Sequence, residues 1–60
     1  MTSKQYVKDF CNGDWNDFFA KVKSGTIREV AFRWLAYEAL TTYEDEHGTT
    51  IEHLVYLGGD

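Results

Sequence analysis

Apolar residues recur at helical spacing in the first part of the chain. Trp15, Phe18, Phe19 and Val22 follow i, i+3, i+4, i+7, and Tyr6, Val7, Phe10 and Cys11 form a similar stripe. Ile51, Leu54 and Val55 repeat the spacing near the end. Between them, Ile27, Val30, Ala31 and Trp34 occupy one side of a helical wheel, while Phe32, Ala36, Leu40 and Tyr43 fall on the opposite side. A helix that is apolar almost all round must be buried on more than one face, so this pattern predicts a central helix wrapped by the others.

Punctuation agrees with four helices. Thr2 with Gln5, Asp14 with Asp17, Thr26 with Glu29 and Thr49 with Glu52 each have the spacing of a capping box. Gly13, Gly25, Gly48 and Gly58 follow the four stripes, where glycine is the preferred residue just past a helix end. The chain has no proline to interrupt a helix. The expected fold is therefore a compact all-α domain over residues 1-60, with helices at about 3-12, 15-24, 27-47 and 50-57. The long helix at 27-47 is its centre and the three shorter ones pack around it. Thr49, Thr50, Ile51, Val55 and Tyr56 also favour strand, but with no second strand expected to pair with them, 50-57 is read as helix.

Composition narrows the class. Sixty residues suffice for one small domain, and 43 % hydrophobic with 17 % aromatic residues argues for a packed core over disorder. The single cysteine cannot form an intramolecular disulfide, which fits a reducing compartment. No secretory leader or membrane-spanning stretch is read, so the expectation is a cytoplasmic protein with no membrane association.

Chemistry has little to build on. Glu44-x-x-His47, with His53, Glu46 and Glu52 nearby, matches half of a carboxylate-bridged metal motif, and half a motif supplies too few ligands. Cys11 falls on an apolar face, and Ser3 and Ser24 sit where helix ends explain them. No acid, base and nucleophile converge, so neither catalysis, a metal nor a cofactor is expected.

Charge is divided unevenly. Residues 1-30 carry five basic and four acidic side chains; residues 31-60 carry Arg33 alone against Glu38, Glu44, Asp45, Glu46, Glu52 and Asp60, in a chain of net charge -4. At the end of a helix, Glu44-Asp45-Glu46 would oppose the helix dipole, a local conflict expected more often at functional positions. Tyr37, Tyr43 and Tyr56 share this acidic half, and tyrosine is favoured at interfaces. The expected function is a small acidic interaction module, a regulator or inhibitor docking on a basic surface of a larger protein, in one version by mimicking nucleic acid. By analogy, small accessory proteins of phages and mobile elements have this character. The expected partner-binding residues are Glu38, Tyr43, Glu44, Asp45, Glu46, Glu52 and Tyr56. A homodimer through the long or the last helix is a further expectation. The alternatives are a helical DNA-associated regulator using Lys4, Lys8, Lys21, Lys23 and Arg28, or a structural homo-oligomer subunit. Direct nucleic-acid binding is disfavoured, because the positive charge is not concentrated.

Overall fold

A computed structural model describes residues 1-58, and it is α+β. Two helices, α1 (Ser3–Phe10) and α2 (Trp15–Ser24), precede three strands, β1 (Arg28–Trp34), β2 (Glu38–Glu44) and β3 (Thr50–Tyr56). The strands form an antiparallel meander in the order β1-β2-β3.

The first two helices stand close to where the stripes and caps put them. The Gln5 N–H donates to Thr2 Oγ1 over 3.2 Å and the Asn16 N–H donates to Asp14 Oδ1 over 2.9 Å, so both N-cap residues satisfy a free helix-end donor. Gly25 ends α2 at φ +88°, the left-handed conformation that glycine enters without a side-chain penalty.

The long helix at 27-47 and the short helix at 50-57 do not exist, and the all-α four-helix expectation is overturned with them. The reason lies in the wheel itself. Residues two apart are separated by about 200° on a helical wheel, so apolar positions alternating along a strand land on both of its sides. Val30, Phe32 and Trp34 alternate in this way, as do Ala39, Thr41 and Tyr43, and β2 alternates between buried and half-buried positions along its whole length. The two-sided apolar character was a period of two. Thr26, expected as an N-cap, lies in the α2 to β1 turn, where its hydroxyl shares a 3.1 Å hydrogen bond with Ser24 Oγ. Once 28-34 and 38-44 are strands, the strand propensity of Thr50, Ile51, Val55 and Tyr56 has a partner, and β3 pairs with β2 along its whole length.

Register fixes the faces. Tyr43 stands opposite Ile51, Thr41 opposite His53 and Ala39 opposite Val55, and on the other side Phe32 is opposite Thr41 and Trp34 opposite Ala39. Residues directly opposite share a face, so these line the inner face, on which α1 and α2 pack. The register shifts between Glu29 and Ala31, where Val30 is the extra residue of a bulge.

The core of Tyr6, Val7, Cys11, Phe18, Ile27, Tyr43 and Ile51, with Val22 against it, lies at one end of the sheet. Helices of eight and ten residues are about 12 and 15 Å long, whereas a seven-residue strand is about 23 Å long. They cannot cover it. The far end stands clear, with Phe32, Trp34, Tyr37, Val55, Tyr56 and Leu57 all exposed.

The two sheet edges differ. At β3, Met1 and Thr2 lie alongside as a short parallel bridge: the Glu52 N–H donates to the Met1 carbonyl over 2.8 Å and the Met1 amine donates to the Thr50 carbonyl over 3.0 Å. Nothing among the described residues pairs with the outer edge of β1. No helix of the described residues is long and apolar enough to cross a membrane.

Candidate functional site

The seven residues expected to bind a partner divide by the strand register. Glu38 is opposite Tyr56, Thr42 opposite Glu52, and Glu44 opposite both Arg28 and Thr50. Glu38, Glu44, Glu52 and Tyr56 therefore share the outer face, turned away from the helices, together with Arg33, Leu40 and Leu54. Tyr43 belongs to the inner face and to the core. Asp45 and Glu46 follow β2 in the loop to β3.

Within the acidic turn, each carboxylate has its own role. Asp45 is buried and accepts a 2.8 Å hydrogen bond from the Tyr6 hydroxyl, while its other oxygen accepts the backbone N–H groups of His47 and Thr49, each at 2.9 Å. Burial pushes its carboxyl up, but the donations from Thr49, Tyr6 and His47 outweigh that and hold it below the usual range. Burial, reinforced by the same pair, raises the Tyr6 hydroxyl well above its ordinary value. Glu44 accepts from Arg28 Nη2 across the strand pair at 2.9 Å. Glu46 is exposed, 3.6 Å from His47 Nε2. The conflict with a helix dipole does not arise, because the turn is a hairpin loop that Asp45 closes from within. Asp60 lies outside the described residues.

Glu44 and His47, spaced for one helix face, are separated by the end of β2. No group of three His, Cys, Asp or Glu side chains gathers as metal ligands among the described residues. His53 is instead enclosed by aromatic rings, with Trp15, Phe18, Phe19 and Tyr43 centroids 5.7 to 6.3 Å away. Its Nδ1 shares a 2.8 Å hydrogen bond with the buried Ser3 Oγ. No carboxylate hydrogen-bonds the ring among the described residues, so Ser3 and His53 lack the third group that orients a catalytic pair. Cys11 is buried in the core, and burial, with Asp17 nearby, pushes its thiol up, away from the nucleophilic thiolate.

Desolvation also lowers the His53 pKa, so the folded protein prefers the neutral ring. An unfolded histidine binds its proton near pH 6.5, whereas the folded one resists it until lower pH. The stability is thus present above pH 6.5 and lost as pH falls towards the folded value. Thermal melting from pH 7.5 to 5 is expected to show a falling Tm, and His53→Gln to flatten the fall. An equal slope in both proteins would show that His53 does not cause it.

What the sequence reading missed is the apolar content of the outer face. Leu40 and Leu54 stand opposite each other, Leu54 is 52 % exposed, and Tyr56 beyond it is 67 % exposed. An open groove of about 320 Å³ runs beside them, lined by Thr2, Ser3, Lys4, Leu40, Glu52 and Leu54. The alternation of Glu38, Leu40, Thr42 and Glu44 was the signal that could have found this face. Of the basic residues named for the DNA-associated alternative, Lys4 and Lys8 lie on α1, Lys21 and Lys23 on α2, and Arg28 on strand β1. Comparison with protein-family models, with curated proteins and with solved structures returned no match.

Proposed function

We propose that the chain is a non-catalytic docking module that binds a larger protein through the outer face of its sheet. One observation carries this reading: the register surrounds exposed Leu54 and half-buried Leu40 with Glu38, Glu52 and Tyr56, on a face that no element among the described residues covers. An apolar centre with a polar rim and a tyrosine is the anatomy of a protein interface. The free carboxylates on the rim, Glu38 and Glu52, favour a partner with basic groups around an apolar patch. Glu44 contributes less, being paired with Arg28. Tyr43, in the core, and Asp45, bonded to Tyr6 in the loop after β2, lie outside this face.

Immobilised chain and a Leu54→Asp variant, both confirmed folded by circular dichroism, would be used to capture proteins from the native source. The expected result is a protein held by the first and lost by the second. Glu38→Lys with Glu52→Lys is expected to slow association with that protein, most at low salt, since opposite charges steer encounter. Retention of the same proteins by Leu54→Asp overturns the reading.

A further inference from the structure

We infer that the open edge of β1 pairs with the β1 of a second copy of this chain, joining two three-stranded sheets into one of six strands. The inference rests on the reading of the sheet as a docking surface and supplies its assembly.

The hydrogen-bond pattern identifies the free groups. The Leu35 N–H donates to the Glu38 carbonyl over 2.8 Å, closing the β1 to β2 turn. In an antiparallel ladder, bonding alternates residue by residue, so Leu35, Arg33 and Ala31 bond towards β2. Trp34 and Phe32 turn their N–H and C=O groups to the open edge. An unpaired edge of this kind is a template for another strand. The β3 edge has Met1 and Thr2 beside it; the β1 edge has no such cover among the described residues.

Side chains favour the same seam. All seven residues of β1 are exposed, including Phe32 at 49 % and Trp34 at 69 %, whose rings meet edge to face with centroids 5.2 Å apart on the inner face. A two-fold axis through Phe32, normal to the sheet, puts Phe32 opposite its own copy, Trp34 opposite Val30 and Arg33 opposite Ala31. This sets aromatic and β-branched residues across the seam, pairings that stabilise neighbouring strands. Shifting the axis to Arg33 would oppose two arginines. The axis through Phe32 turns both outer faces to one side, so that a partner meets Leu40 and Leu54 twice.

Sedimentation equilibrium tests the seam. The expected mass is twice the 7.0 kDa of one chain. Phe32→Pro is expected to halve it while retaining the circular dichroism spectrum, because the Phe32 N–H serves no bond among the described residues and proline is tolerated at such an edge. Should proline disturb the fold, Phe32→Lys replaces it, keeping the backbone and adding the charge that guards natural edges. Leu54→Asp is expected to leave the mass doubled, which separates the seam from the docking face. A single-chain mass at every concentration, a doubled mass in a folded Phe32 variant, or loss of the doubled mass in folded Leu54→Asp would each overturn the inference.

Discussion

Phe18→Ala is expected to remove about half or more of the protein's stability, the largest loss of any single substitution considered. The ring is fully buried and meets Tyr6, Trp15, Phe19, Tyr43 and His53, with centroids 5.2 to 6.2 Å away. Truncating such a phenylalanine costs about 3-5 kcal/mol through lost transfer energy and the cavity left behind. At about 0.05-0.15 kcal/mol per residue, a domain of this size has roughly 3-9 kcal/mol in total. The neighbouring elements are short, and the rings around the cavity come from both helices and from β2 and β3, so collapse at one side opens another. Urea titration followed by tryptophan fluorescence would measure the loss, because Trp15 reports on the same cluster. Phe18→Leu, which keeps most of the volume, is expected to lose less. A midpoint unchanged in Phe18→Ala would mean that the core is not where this cluster lies.

Asp45→Ala is expected to have the second largest effect, at about 2-3 kcal/mol, by removing the acceptor of the buried Tyr6 hydroxyl and of the His47 and Thr49 N–H groups. The hydroxyl, in the core, has no other partner among the described residues; the two amides, nearer the surface, can recover water. Acid provides a second test. The Asp45 carboxyl titrates below its ordinary value of 3.8 in the folded state, so its contribution is fully present above that value and disappears as pH falls through the folded one. Urea midpoints at neutral pH and at pH about 3 should therefore differ less in Asp45→Asn than in the parent chain. If the two proteins lose stability in parallel, the carboxylate is not the acid-sensitive group.

The legible part of this fold was the part governed by local rules. Thr2, Asp14 and Gly25 cap helices because their side chains, or the lack of one, act on the nearest turn, and that physics is contained in a few adjacent residues. Strand formation depends on partners. The run from Arg28 to Trp34 is stable as a strand only because Ala39 to Glu44 can lie beside it, and β3 needs β2 in turn. Judged singly, each had no partner, and the apolar alternation was wound onto a helix that could not exist. Glycine was ambiguous for a related reason: Gly48 has φ +81° in a hairpin loop, a conformation a helix end would also have used. At Gly58 a side chain would meet the Tyr56 hydroxyl at 2.8 Å, the end of an exposed side chain that can turn away.

The candidate site was legible in its residue types and not in its geometry. Glu38, Glu52 and Tyr56 share a face only through a register that no local spacing reveals. Asp45 shows the opposite failure. Surface charge and a buried hydrogen-bond acceptor have the same letter in a sequence, and only Tyr6, thirty-nine positions earlier, distinguishes them.

The attachment of the amino terminus to β3 has a consequence for the order of folding. Helix turns and both hairpins join near neighbours, so their closure entropy is small and they can form early and independently. The contact between Ser3 and His53 spans fifty positions, and with the Met1 and Thr2 bridge it closes nearly the whole described chain into a ring. Contacts of such separation are rewarded late, after the elements that flank them are in place. Before that closure the His53 ring lacks its serine and the β3 edge is open; after it, Met1 and Thr2 lie against Thr50 and Glu52 at one end of that edge. The amino terminus thus ties the last strand to the first helix, joining the two ends of the described chain in one contact.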